Sequence, residues 1–268
     1  MYPATTTLRS KYQSLGLIAL GVIFAAGPAL AQAKPDCPGL PDAAKLRSTL
    51  QSVVREGPSK NGGMGNQEWA VIVNRNGIAC AVVYSGTDTN QEWPGSRVIA
   101  ASKANTANAL SNSDYALSTA NIYAASQPGQ SLYSLATSAP PNPQAAFGDP
   151  SSFGTPTDPM IGKPVGGVIV FGGGLPLYSG KGKIVGGLGL SGDTSCTDHI
   201  IAWKVRHQLG LDVVPMGPSP AHNDNMILDW KNGDSPSGFG HPACKGGQPS
   251  EFIIESLSQK YPTGPKNK

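Results

Sequence analysis

The chain has 268 residues, a formal net charge of +3 and only 14% charged residues, with 34 glycines and 24 prolines. A near-balanced charge without a basic stripe excludes a polyanion-binding role, so nucleic acid is not an expected partner. The length allows one embellished domain or two small ones, and periodic apolar segments are present to build a core.

Residues 1–31 have the three parts of a secretory leader. Arg9 and Lys11 are the only charges before residue 34. The apolar stretch from Leu15 to Leu30 is broken by Gly16, Gly21, Gly27 and Pro28. It falls short of the roughly 20 apolar residues that a membrane span needs. Ala29-Leu30-Ala31 is a small-x-small cleavage signal, so cleavage is expected after Ala31. The mature protein is then periplasmic or secreted, with no membrane anchor. Four cysteines, Cys37, Cys80, Cys196 and Cys244, in an oxidising compartment read as two disulfides. Of the three possible pairings, Cys37–Cys80 with Cys196–Cys244 is preferred.

Residues 41–56 read as a helix, with Ala43, Leu46, Leu50, Val53 and Val54 on one face, Pro41 in its first turn and Gly57-Pro58 as its stop. Trp69–Val73 and Ile78–Tyr84 read as strands joined by Asn74-Arg-Asn-Gly77, whose Asn-Gly pair is a hairpin signal. Ser96 to Leu110 is an alanine-rich helix with Ser96 as its expected N-cap, and 114–126 reads as further helix. Residues 127–164 lack periodicity and read as a long ordered insertion. Val165–Phe171, Leu175–Tyr178 and Ile184–Leu190 read as extended segments. A helix capped by Asp193 or Thr194 then runs to Leu209. Residues 211–268 form an irregular Pro/Gly-rich extension with a short amphipathic helix at Phe252–Leu257. Strand pairs on short turns, flanked by helices, give an α+β fold.

Three motif matches are set aside. Gly187-Leu-Gly189-Leu-Ser-Gly192 matches the dinucleotide fingerprint, and Asp212 lies about 20 residues on. Asp193, however, puts a carboxylate where a pyrophosphate would sit, and the preceding strand belongs to a hairpin. Its glycines are read instead as sites of close backbone approach. Ser179-Gly-Lys-Gly-Lys183 lacks phosphate-loop spacing. Ser191 is outside a nucleophile elbow, so no hydrolase motif is present. His199 and His207 share one predicted helix. Cys196-x-x-His199 offers two ligands, fewer than a zinc site needs.

Ala101-Ser-Lys103-Ala104-Asn-Thr106-Ala107, Gly173-Gly174-Leu-Pro176, Ile184-Val-Gly186-Gly187-Leu-Gly189-Leu-Ser191-Gly192, and Asp198 with Ala202 occur in an order that resembles the GlcG/HbpS-like haem-binding family. The Trp69–Ala81 hairpin resembles that family's central hairpin. The resemblance implies an α+β domain over 32–210, interrupted by the 127–164 insertion and built on a single antiparallel sheet of about five strands. It also implies a homo-oligomer and noncovalent binding of haem b or another small molecule. No Cys-x-x-Cys-His motif is present, which excludes covalent attachment. His199 is the expected iron ligand beside Asp198. Arg97 and Lys103 are expected to meet the propionates, and Tyr123, Phe171 and Tyr178 to line a pocket. Binding is favoured over catalysis. In the alternatives, the fold is an enzyme with Lys103, Asp198 and His199 as acid–base groups, or a non-catalytic assembly module.

Overall fold

A computed structural model describes residues 35–264; the predicted leader, 1–31, lies outside them. The first helix, α1, spans Ala43–Val54, and Asp42 caps it by accepting the Lys45 N–H at 2.8 Å. Pro41 therefore stands before the cap rather than in the first turn. Leu46, Leu50 and Val53 face inward and are fully buried. A single turn, α2 (Pro58–Asn61), follows.

Strands β1 (Trp69–Asn74) and β2 (Ala79–Tyr84) form the predicted hairpin. Its turn is closed by Asn74, whose Oδ1 accepts the N–H groups of Asn76 and Ile78 at 3.0 Å each. Gly77 takes φ 76°, a conformation that a side chain would resist. Strands β3 (Gly174–Tyr178) and β4 (Ile184–Ser191) form the second hairpin. The pairs join into one antiparallel sheet of order β2-β1-β4-β3. The fold is α+β, with four strands among the described residues where about five were expected. Val165–Phe171 is the segment that differs. Gly166 and Gly167 have φ 69° and 83°, which breaks an extended run. Side chains of the neighbouring helix hold it instead: Asn105 donates to the Gly167 carbonyl at 2.8 Å, and Thr106 Oγ1 accepts the Ile169 N–H at 3.0 Å.

Helix α3 (Ser96–Ala109) begins one residue earlier than an Ser96 cap would place it. Gly95 holds the cap position, and the Ser96 hydroxyl is buried without a partner. The helical reading of 114–126 resolves into two 3-10 turns, Thr119–Ile122 and Ala124–Ser126. Within the insertion, α4 (Leu135–Ser138) and α5 (Pro143–Ala146) are single turns. Helix α6 spans Ser195–Gln208 with Thr194 as N-cap, and α7 spans Glu251–Lys260. Among the described residues, no helix is long and apolar enough to cross a membrane.

The alternation of strand residues divides the core. One face of the sheet carries Ala70, Ile72, Leu188 and Leu190, packed against α1, α6 and α7. The other carries Val71, Val73, Val82 and Trp69, packed against Ala100, Ala101 and Ala104 of α3 and against Ala145, Ala146 and Met160 of the insertion. On this second face β4 presents glycine. A Cβ on Gly189 would lie 2.0 Å from the Ala100 carbonyl and 2.4 Å from the Ala104 nitrogen, and one on Gly187 would lie 2.2 Å from the Ala104 carbonyl. The fingerprint-like glycines thus let a helix backbone rest on a strand. Gly189→Ala is expected to cost about 1–3 kcal/mol through overpacking, read as a lower urea midpoint at unchanged slope.

Both preferred disulfides form. Cys37–Cys80 ties the segment before α1 to β2, and Cys196–Cys244 ties α6 to the C-terminal extension. Their Cα separations, 6.1 and 6.0 Å, fall in the usual range.

Candidate functional site

The motifs converge at the Ser191 end of β4. Lys103, in the middle of α3, is fully buried. Its Nζ donates to Asp198 Oδ2 at 2.6 Å and to the Leu190 carbonyl at 2.9 Å, and lies 4.9 Å from the centre of the Phe171 ring. Asp198, in the first turn of α6, accepts the N–H groups of Gly192 and Asp193 with its other oxygen, at 3.2 and 3.0 Å. The pair joins helices that lie on opposite faces of the sheet. Gly173 closes over it. A Cβ there would meet the Leu190 carbonyl at 2.6 Å and Lys103 Nζ at 2.8 Å. The spacing of lysine, glycine pair and aspartate is therefore the footprint of one buried ion pair.

A third group stands beside them. Glu68, just before β1, is 0% exposed, and no hydrogen-bond donor reaches either of its oxygens. Burial first, then the negative charge of Asp198, push its carboxyl well above the usual range, against the opposing charge of Lys103. A buried carboxyl raised in this way, with no donor to stabilise its charge, keeps its proton. Asp198 has an ammonium and two N–H groups to stabilise its charge; Glu68 has no donor. Glu92 is also buried, and desolvation raises it to about 7, opposed by the Trp93 N–H and reinforced by Asp198 and Asp193.

Asp193 settles the dinucleotide question. Its carboxylate accepts the N–H groups of Met64, Gly65 and Asn66 at 2.9, 2.8 and 3.1 Å. The protein's own carboxylate fills this backbone nest, the kind of concavity that would hold a phosphate.

Of the residues singled out from sequence, Lys103 and Asp198 are brought together, while Arg97 and His199 are directed elsewhere. Arg97 reaches the insertion. It forms a bidentate pair with Asp158, donates to the Ala146 carbonyl at 2.7 Å and stacks 3.8 Å from the Phe153 ring centre. His199 faces the C-terminal extension. Its Nε2 accepts the Met226 N–H at 3.2 Å and lies 3.2 Å from Asn225 Oδ1. Burial drives it down to about 3, so it is neutral. Tyr178 is core and donates to the Asn112 carbonyl at 2.7 Å. Tyr123 packs edge-on against Trp230 and beside His241.

Sequence reasoning passed over Glu68, Glu92 and the pair Arg206–Asp224, which is bidentate at 2.6 and 2.8 Å and fully buried. Glu68 did leave a signal, as the only acid between Glu56 and Asp88, set against an apolar strand. Cys196, Cys244 and His241 also cluster, with ligand atoms within 4.8 Å of one another. The two sulfurs are bonded to each other, so they are not thiolates that could hold a metal.

A family model described as "Haem degrading protein HbpS-like" matches residues 63–206, more than half of the chain. The chain belongs to the HbpS-like family. The matched span begins at the Asp193 nest and ends on α6, so it contains Lys103, Asp198, Glu68 and Gly173. Three solved structures are similar to the chain. The Klebsiella pneumoniae protein ORFY is 22% identical, over 61% of this chain and 87% of its own, with TM-score 0.40. The PduOC–heme complex is 21% identical, over 61% and 88%, with TM-score 0.42. HbpS is 19% identical, over 69% and 98%, with TM-score 0.40. No curated protein matches the chain.

Proposed function

We propose that this member of the HbpS-like family is exported, binds haem b noncovalently, and stores, transfers or senses it as a homo-oligomer. The observation that carries this reading is the family match across 63–206. Export is supported by the leader pattern in 1–31 and by two disulfides, which persist in oxidising compartments.

The residues first expected to hold haem do not fit it in this arrangement. Arg97, Lys103, Asp198 and His199 are each at most 2% exposed, and each charged group has a protein partner. A porphyrin needs an open apolar wall and a donor with a free lone pair. We assign Lys103 and Asp198 a supporting role, locking α3 and α6 to the end of β4. Titration of the purified mature protein with haemin is expected to give a saturable, stoichiometric Soret shift. A flat titration overturns the reading.

One observation favours a second reading, acid–base catalysis on a small molecule. Glu68, Asp198 and Lys103 hold a proton and two charges in one desolvated cluster, as acid–base sites do. Deuterium uptake by small carbonyl compounds in D2O, present with wild type and absent with Glu68→Gln, would favour catalysis. Equal background exchange in both rejects it.

A further inference from the structure

The two disulfides stand in different surroundings. The Cys37–Cys80 sulfurs meet only an acceptor among the described residues, the Ile78 carbonyl at 3.5 Å from Cys80 Sγ. The Cys196–Cys244 bridge meets donors. Cys196 is the second residue of α6, and its N–H donates to Cys244 Sγ at 3.1 Å. The Ser195 hydroxyl lies 3.3 Å from the same sulfur. Donors at a helix N-terminus stabilise a thiolate over a thiol. Cys244 is also the sulfur that solvent can approach, being half-buried where Cys196 is fully buried. The bridge therefore has one accessible sulfur and a stabilised thiolate as its product, two conditions that favour thiol–disulfide exchange.

His241 completes a set of metal donors around this bridge. Its Nδ1 donates to the Pro242 carbonyl at 2.7 Å, which leaves the ring lone pair on Nε2. The Gly172 N–H and the Ser195 hydroxyl each lie 3.4 Å from that nitrogen. Nε2 and the two sulfurs lie within 4.8 Å of one another. A carbonyl behind the other ring nitrogen is how metal-bound imidazoles are oriented. Two thiolates and one imidazole form a known zinc donor set, with the fourth position left to water or another oxygen. Zinc–sulfur bonds of about 2.3 Å in a tetrahedron hold two sulfurs about 3.8 Å apart. Cα atoms 6.0 Å apart reach that separation by side-chain rotation. The charges also balance, since two thiolates neutralise a divalent ion and the imidazole adds none. A neutral cluster suits a place where Cys196 and His241 are both buried.

We infer that reduction converts the Cys196–Cys244 bridge into a zinc site, with both sulfurs and His241 Nε2 as ligands. The reductant is a dithiol or two monothiols. Its sulfurs join in a new S–S bond, the protein's S–S bond breaks, and each freed protein sulfur takes one proton. Zinc then displaces those two protons. A disulfide oxidant reverses the step: it takes two electrons, the bridge re-forms, and zinc leaves. In both states the C-terminal extension stays fastened to α6, by the bridge or by the ion. The inference is independent of the haem reading. Cobalt(II) titration of the mature protein tests it, with a phosphine as the reductant because it adds no competing thiol. Reduced wild type is expected to take up one cobalt, with a thiolate-to-cobalt charge-transfer band and intense tetrahedral d–d bands that zinc abolishes. Oxidised wild type and Cys196→Ala/Cys244→Ala should show neither, and Cys37→Ala/Cys80→Ala should match wild type. His241→Gln, which keeps all four cysteines, should weaken cobalt binding roughly tenfold or more, one of three protein ligands being lost. Zinc should raise the thermal midpoint of the reduced protein and leave that of the oxidised protein unchanged. The inference is overturned if reduced wild type gives no charge-transfer band, or if the band persists in Cys196→Ala/Cys244→Ala or at full affinity in His241→Gln. It is also overturned if reduction abolishes the native circular dichroism and zinc does not restore it.

Discussion

Replacing Lys103 with methionine is expected to destabilise the fold by about 3–5 kcal/mol, the cost of leaving one member of a buried ion pair without its partner. Methionine fills much of the same channel, so lost packing is a small part of this. Asp198 would keep only the two N–H groups of Gly192 and Asp193, beside the enclosed carboxyl of Glu68. The pH dependence separates this cause from a packing defect. Burial already raises Asp198, and Lys103 opposes that rise. Without the lysine, the native state holds the Asp198 proton to higher pH than the unfolded chain does. An acid raised in the folded state contributes stability at low pH that is lost as pH rises. The deficit between Lys103→Met and wild type should therefore be largest near neutrality and shrink on acidification. Urea unfolding at several pH values measures it. A pH-independent deficit below about 1 kcal/mol would show that the pair is not charged. Lys103→Met combined with Asp198→Leu should recover much of the loss, since an apolar pair of similar volume can replace a buried ion pair at little cost.

The parts of this molecule legible in its sequence are those set by local chemistry. The Asn-Gly turn fixed the first hairpin, and the three- and four-residue apolar steps of α1 marked its buried face. Low periodicity hid the rest. Val165–Phe171 is apolar enough for a strand, yet Gly166 and Gly167 turn it out of the sheet, and it bonds instead to α3 side chains at its centre and to Asn142 and Thr119 at its ends. The insertion carries no period because its anchors are scattered: Arg97 clasps Asp158, and Ala145, Ala146 and Met160 pack on the sheet, contacts between residues far apart in the chain. The site divides in the same way. Lys103 and Asp198 were visible because they sit within ordered motifs. Glu68 was not, since a single acid has no period and only the three-dimensional fold brings it to Asp198. His199, the expected iron ligand, adjoins Asp198 in sequence but is not brought to its site. On a helix, neighbours diverge by about 100°. The carboxylate turns to the end of β4, and the imidazole turns to Asn225 and Met226.

Those buried imidazoles give the second large effect, a loss of stability in acid that starts from histidine rather than from carboxylates. Desolvation lowers His199 to about 3 and His241 to about 4, and the ordinary histidine value is about 6.5. As pH falls through 6.5, the unfolded chain takes up two protons that the native state refuses. The stability that both contribute is complete above that value and is lost steadily down to the folded pKa values. Each histidine loses about 1.4 kcal/mol per pH unit in that window, which gives His241 about 3 kcal/mol and His199 on the order of 4–5 kcal/mol. Glu68 and Glu92 act with the opposite sign. Their raised pKa values add stability below the ordinary carboxylate range, and Glu92 loses its share as pH climbs toward about 7. Between about pH 4.5 and 6.5 the two effects offset each other, so wild type should show a shallow plateau there and a steep fall below it. His241→Gln removes one histidine contribution and leaves the glutamates. Its stability should gain about 3 kcal/mol relative to wild type between pH 7 and pH 4. Unfolding curves that run parallel for the two proteins across that range would mean that His241 is protonated in the native state.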